Sequence, residues 1–227
     1  ATADAVARME VGAALTNEDL TSVNQLAAVA LHAIGQASVG IGDTVAVFGA
    51  GPIGIMLGLW ARTAGAFRVI LCDIDPTKVE FARKQGFDAV NSRETDPVEY
   101  IRTQTGGRGA DACIEGAGVA QTWEQALKAV KSFGTVVSMG NPAGDMTLTQ
   151  KGYWEILRKQ LTLKGTWNSS YNDVRNEWRT ALAAIASHRI DVRPLISHRF
   201  PLSEADKAFG VMRERKEFFN KVMFINR

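Results

Sequence analysis

Apolar positions along the 227 residues follow two rhythms in turn. Between 12 and 38, Val23, Leu26, Ala27, Ala30, Leu31 and Ile34 recur at the spacing of one helical face. Thr16 or Asn17, followed by Glu18 and Asp19, gives that helix a cap and acids at its positive end, and Gly40 and Gly42 close it. From there short apolar runs alternate with helical ones. Strands are predicted at 44–49, 68–73, 87–90, 112–115, 135–139 and 161–166, and helices at 53–64, 76–85, 96–105, 121–131 and 152–159. Strands alternating with helices need crossover connections, which make the sheet parallel. Their apolar residues run on without alternation, as in strands covered on both faces. The fold class is therefore α/β, a doubly wound parallel sheet flanked by helices. The tail differs: a helix over 174–188 with Val174, Trp178, Ala181, Leu182 and Ile185 on one face, a strand at 195–200, a helix over 203–215 capped by Ser203, and a strand at 222–225.

The most informative segment is Gly49-Ala50-Gly51-Pro52-Ile53-Gly54, between the first predicted strand and its helix. The three glycines suit a tight turn, a close approach of pyrophosphate to the backbone, and close helix–strand packing. The helix N-terminus beyond them offers free N–H groups to phosphate. This is the Rossmann dinucleotide turn in its proper context. Asp73 ends the second strand 19 residues after Gly54, where a carboxylate accepts from the adenosine ribose hydroxyls and repels a 2′-phosphate. Ile74 rather than an arginine follows it, so NAD is expected over NADP. Lys78 either reaches the same ribose or phosphate or is an ordinary helix-face lysine. S-adenosylmethionine and FAD use related turns; the glycine spacing and the number of later strands favour NAD. The chain then reads as a helical lead-in (1–40), a Rossmann domain (41–170) and a C-terminal segment (171–227).

Composition narrows the partners. With 26 basic and 24 acidic residues the net charge is +2, which gives no electrostatic case for nucleic acid or an anionic membrane. No apolar stretch is long enough to span a bilayer, and no signal-peptide pattern opens the chain. Cys72 and Cys113 lie in strand-like runs without C-x-x-C spacing, so they are expected to be buried thiols, as suits a reducing cytoplasm. His32, His188 and His198 show no metal spacing. Packing is expected of His32, a helix C-terminus for His188, and the surface for His198. Trp154, Trp167 and Trp178 are expected in the core or at an interface. Ala1 in place of Met marks a processed chain or a piece of a longer one.

The chain resembles the medium-chain dehydrogenase/reductase family, in its zinc-type alcohol and polyol dehydrogenase branch. The residues that carry this are Ala28 to Ile34, Gly42 to Gly54, Gly109-Ala110-Asp111 with Glu115-Gly116-Ala117-Gly118, and Gly134 to Val137 leading to Met139-Gly140. Ile156 to Ser170 and Arg215 to Phe224 are most similar to galactitol-1-phosphate 5-dehydrogenases. The resemblance implies an NAD-dependent oxidoreductase that takes a secondary alcohol of a sugar alcohol, or of its phosphate, to a ketose. It implies that Met139, Gly140 and Asn141 hold the carboxamide. Gly116 and Ala117 would border the nicotinamide ribose, and Thr166 and Trp167 would lie near the nicotinamide. A homodimer joined through the sheet edge is also implied.

The departures from the family are as informative. Zinc is expected in full-length members but not in this chain, because the N-terminal domain with its Cys and His-Glu ligands is missing. Gln25-Leu26 stands where a Glu-Pro pair is usual, unless Met9-Glu10 is that pair and 11–26 an insertion. No residue is assigned as catalytic. The 171–227 segment resembles elements that return to the missing domain, so its strands are expected to leave unpaired edges. The competing class is an NAD-binding module without turnover.

Overall fold

The computed structural model describes residues 17–225, with side chains from residue 22 onward. The expected helix start at 12, Thr16 as a cap and the Met9-Glu10 pair lie outside the described residues. Helix α1, Asn17–Ala37, crosses the division between two compact units. The first unit is Val29–Asn168, and the second takes in the described residues 17–28 and 169–225.

The first unit alternates β1 (Thr44–Phe48), α2 (Pro52–Thr63), β2 (Arg68–Asp73), α3 (Pro76–Lys84), β3 (Asp88–Asn91), α4 (Pro97–Gln104), β4 (Ala110–Glu115), α5 (Ala120–Ala129), β5 (Val130–Ser138), α6 (Gln150–Lys159) and β6 (Thr162–Gly165). The expected doubly wound sheet is present: six strands in the order β3-β2-β1-β4-β5-β6, every pair parallel. Local chemistry explains the helix starts. Pro52, Pro76 and Pro97 each open a helix, where the missing N–H costs nothing. Asp75 accepts from Thr77 N–H and Asp96 from Val98 N–H, at 2.9 and 2.8 Å, caps worth about 1 kcal/mol each.

Under α4, α5 and α6 lie Ala46, Phe48, Ile70, Cys72, Cys113 and Val136, packed on Ile101, Ala126 and Leu127. The alternate residues Val45, Val47, Ile114 and Val137 are buried as well, so the central strands are covered on both faces. The edge strand β6 departs from that reading. Thr162, Leu163 and Gly165 are exposed, because β6 has a neighbour on one side only. β5 also begins five residues earlier than predicted, straight after α5, and turns at Phe133 (φ 61°) and Gly134.

In the second unit, α7 (Glu177–Ala186) is shorter than its apolar pattern predicted. Asn172 Oδ1 accepts from the N–H groups of Val174 and Arg175, and Asn176 Oδ1 accepts from Arg179 N–H. The Asn172 bonds hold 172–175 in a non-helical turn and the Asn176 bond caps the helix, so the helix starts after Asn176 and Val174 is 98% exposed. Ser203 is not a cap: it lies in a 3₁₀ turn, Leu202–Glu204, that precedes α8 (Ala205–Glu214). β7 (Ile196–Pro201) and β8 (Lys221–Ile225) pair with each other in parallel. His198, expected at the surface, is half-buried. Its side chain is 20% exposed, stacks on Phe200 with centroids 6.0 Å apart, and meets Ser197 Oγ at 2.9 Å through Nδ1.

Candidate functional site

The strand order reverses between β1 and β4, and ligands of such sheets lie in the crevice outside the strand ends at that point. β1 delivers the glycine turn there. Gly49 has φ +113°, a conformation open to glycine, and its N–H donates to Cys72 C=O at 2.7 Å. A Cβ on Gly51 would meet nothing within 4 Å, whereas one on Gly54 would run into the Gly49 carbonyl oxygen. The two glycines thus serve different ends: Gly51 leaves room above the turn, and Gly54 lets α2 touch it. Gly51 is also the N-cap of α2 and no side chain caps that helix; Pro52 carries no N–H, so the first-turn donors left without an intrahelical acceptor are the N–H groups of Ile53 and Gly54.

Beside β1, Asp73 ends β2 with a largely buried carboxylate. One oxygen accepts from Ala50 N–H at 2.8 Å and the other from Asp75 N–H at 2.9 Å. A carboxylate has about four lone-pair sites, so two remain. Lys78 Nζ lies 3.9 Å from Asp73 Oδ2, and Ile74 is 52% exposed.

On the other side, β4 ends in Glu115, a residue that the sequence reading did not assign to the site. Its side chain is 1% exposed. Oε1 accepts from Ala117 N–H, Gly118 N–H and Thr122 Oγ1, each at 2.8 Å, while its backbone carbonyl accepts from Met139 and Gly140 N–H at 2.9 Å. Gly116 and Ala117 are exposed around it. The loops after β4 and β5 interlock: a Cβ on Gly118 would overlap Asn141 O, and one on Gly140 would overlap Gly118 N. An acid closing a buried apolar strand just before Gly-Ala-Gly is the signal that could have found Glu115. Further along, Thr166 follows β6, its N–H donates to Ser138 C=O at 3.0 Å, and its Oγ1 is buried without a hydrogen-bond partner. Trp167 is 81% exposed, so it is no core residue. The same holds for Trp154, whereas Trp178 is half-buried and donates to Ser169 Oγ.

The structure thus brings the residues predicted from sequence to the strand ends of one sheet: Gly49 to Gly54 after β1, Asp73, Ile74 and Lys78 after β2, Gly116 and Ala117 after β4, Met139 to Asn141 after β5, and Thr166 and Trp167 after β6. A groove of 560 Å³ along α4 and α5 is a separate feature. Its glutamates are already paired, Glu99 with Arg102, Glu124 with Lys128 and Glu155 with Lys159, and its aspartate, Asp96, caps α4.

Residues 52–187 match the zinc-binding dehydrogenase family. The chain belongs to that family. It is 33% identical over 190 residues to an erythritol/L-threitol dehydrogenase of Mycolicibacterium smegmatis, covering 82% of this chain and 50% of that one. Among solved structures it is similar to the galactitol-1-phosphate dehydrogenase of Escherichia coli, with TM-score 0.83, 26% identity, 93% of this chain and 61% of that one. It is also similar to a protein of Sinorhizobium meliloti solved with NADP bound, with TM-score 0.81, 30% identity, 95% of this chain and 61% of that one. The chain spans about half the length of the curated relatives it matches.

The two groups that the family implies fit differently. A nicotinamide dinucleotide fits: Gly51 leaves the cradle that its phosphates need, and Asp73 keeps acceptor capacity beside it. A zinc ion does not fit the described residues. They contain no group of three or more His, Cys, Asp or Glu that could hold a metal. Cys72 and Cys113 are buried in β2 and β4, and burial above all pushes both thiols up, away from the thiolate a metal needs. No helix among the described residues is long and apolar enough to cross a membrane.

Proposed function

We propose that the crevice holds NAD, and that the complete protein uses it to oxidise a secondary alcohol of a sugar alcohol or sugar-alcohol phosphate to a ketose. The observation that carries the cofactor reading is the Asp73 carboxylate, fixed to the glycine turn through Ala50 N–H with lone pairs to spare. Gly49, Gly51, Pro52, Ile53 and Gly54 take the pyrophosphate, which the first N–H groups of α2 hold. Asp73 accepts from the adenosine ribose hydroxyls, Lys78 adds a positive charge beside them, and Ile74 offers an apolar face to the adenine. Gly116 and Ala117 border the nicotinamide ribose, Met139, Gly140 and Asn141 hold the carboxamide through backbone groups, and Thr166 and Trp167 close that end. When bound, the nicotinamide supplies the carbon that accepts hydride, and this chain's part is to position it. The substrate class is supported by the names of the relatives, an alditol and an alditol-phosphate dehydrogenase. The NADP-bound relative is the counterweight to NAD. A 2′-phosphate would meet the Asp73 charge, and Lys78 is the one described group next to Asp73 that would offset it.

A second reading, dinucleotide binding without turnover, is favoured by the lack of a metal-holding cluster among the described residues. Both readings are tested by titrating the chain with NADH and NADPH, following energy transfer from tryptophan to the nicotinamide. NADH is expected to bind at least tenfold more tightly, about 1.4 kcal/mol. Equal or tighter NADPH binding overturns the choice of NAD, and binding of neither overturns the dinucleotide reading. Turnover of alditols by the same chain would refute the second reading.

The dimer belongs to the same proposal. β6 is an open edge with Leu163 exposed, and α6 beside it leaves Tyr153, Trp154 and Leu157 in solvent, so two copies pair edge to edge. Sedimentation velocity should report a dimer that Leu157→Lys dissociates; a monomeric wild type refutes it.

A further inference from the structure

We infer that Glu115 is a positioning residue for the nicotinamide half of the cofactor, acting through the two loops it clasps. The inference rests on the dinucleotide reading above. A carboxylate 1% exposed is costly to bury unless its lone pairs are filled. Glu115 gathers two main-chain N–H groups and one hydroxyl on a single oxygen, Oε1, and it has no ion pair among the described residues. An arrangement meant only for strand stability has no need of a charge here, since an apolar residue would end β4 as Ile114 continues it. Charge-assisted bonds to Ala117 and Gly118 N–H are stronger than neutral ones, and they set the path of the loop after β4. The backbone carbonyl of the same residue takes Met139 and Gly140 N–H from the loop after β5. The contact of Gly118 with Gly140 and Asn141, with no room for a Cβ on either glycine, passes any shift of one loop to the other. The glycine turn and Asp73, which face the adenosine diphosphate half, have no hydrogen bond to the Glu115 carboxylate; the two sides meet through the β1–β4 ladder, continued by the bond from Gly116 N–H to Phe48 C=O, and through the close approach of Gly49 to Gly116.

The consequence is asymmetric. Loosening Glu115 disorders the surface met by the nicotinamide riboside and leaves the surface met by ADP-ribose in place. The test compares NADH with ADP-ribose as probes on the full chain, for wild type, Glu115→Ala, Glu115→Gln and Thr122→Val. Glu115→Ala leaves the buried Gly118 N–H and the partly buried Ala117 N–H without their acceptor. It should weaken NADH at least tenfold and ADP-ribose less than twofold. Glu115→Gln keeps an acceptor oxygen and should recover part of the loss, and Thr122→Val, which removes one donor and spares the loop N–H bonds, should change neither ligand more than twofold. A general loss of stability would weaken both ligands alike, and that result, or no loss of NADH affinity, overturns the inference. If Glu115→Ala does not fold, Glu115→Gln decides alone: NADH must weaken at least threefold against an unchanged ADP-ribose. A wild type that binds ADP-ribose and NADH equally well also overturns it, whereas a wild type that binds neither refutes the dinucleotide reading itself.

Discussion

Two glycines of the same turn, Gly51 and Gly54, should respond to the same substitution in opposite ways. Gly51→Ala adds a Cβ into open space at a backbone φ of −72° that alanine adopts freely. Folding should therefore be unchanged or gain up to about 0.5–1 kcal/mol from the stiffer unfolded chain. The added methyl points into the space assigned to pyrophosphate, so NADH affinity should fall at least tenfold. Gly54→Ala sits inside α2, where alanine alone would favour the helix by about 1 kcal/mol. Its Cβ, however, would overlap the Gly49 carbonyl oxygen, a backbone atom that cannot swing away. Overpacking of this kind costs about 1–3 kcal/mol, which outweighs the helical gain at all but its lower end. A net loss of up to about 2 kcal/mol lowers Tm by up to about 8 °C in a chain of this size. Thermal unfolding followed by circular dichroism, paired with NADH titration, separates the two effects. If Gly51→Ala lowers Tm as far as Gly54→Ala, or if Gly54→Ala folds as stably as wild type, the division of labour between the two glycines is wrong.

Two further expectations concern the frame around the site. Asp111 accepts from Thr44 N–H at 2.7 Å and from Lys131, joining the start of β1 to β4 and β5; burial works against its charge, but these hydrogen bonds and the Lys131 ammonium outweigh it and hold the carboxyl below the usual range. Its folded pKa is lowered, so its stabilisation is present above about pH 4 and is lost as pH falls through the lower folded value; Asp111→Asn should cost about 1 kcal/mol at pH 7 and flatten the acid limb of urea-derived stability, and an unchanged limb refutes this. Lys159, 17% exposed, donates to the carbonyls of Leu127, Lys128 and Val130 at the end of α5 and pairs with Glu155; Lys159→Met should cost about 1–3 kcal/mol in urea unfolding, and a loss under 0.5 kcal/mol, about the scatter among neutral surface changes, refutes its capping role.

Much was legible in the sequence because it rests on local chemistry. The run Val45 to Phe48, the three glycines and Pro52 dictate a strand, a turn and a helix start wherever they occur. Proline at the first position of α2, α3 and α4 and aspartate caps at 75 and 96 fix helix ends within a residue or two. The β2 boundaries, Arg68–Asp73, follow from an apolar run between a glycine turn and an acid. The parallel sheet follows from alternation alone, since handed crossovers leave few other arrangements.

Other features depended on which groups the fold brings together. Nothing in the order of residues says that β1 lies between β2 and β4, and that neighbour relation is what joins Asp73 to the Ala50 N–H and seats Glu115 across the same crevice. Glu115 escaped notice because an acid at a strand end reads as solvated until its donors, from its own loop and the next, are seen to enclose it. The exposure of β6 depends on its place at the edge, and the shortened α7 on the turn that Asn172 holds and the cap that Asn176 supplies. Sequence determined the pieces and the turn chemistry, because those energies act over a few residues. The tertiary structure decided burial, partners and the closing of the crevice, because those energies come from residues far apart in the chain that only the completed sheet makes neighbours.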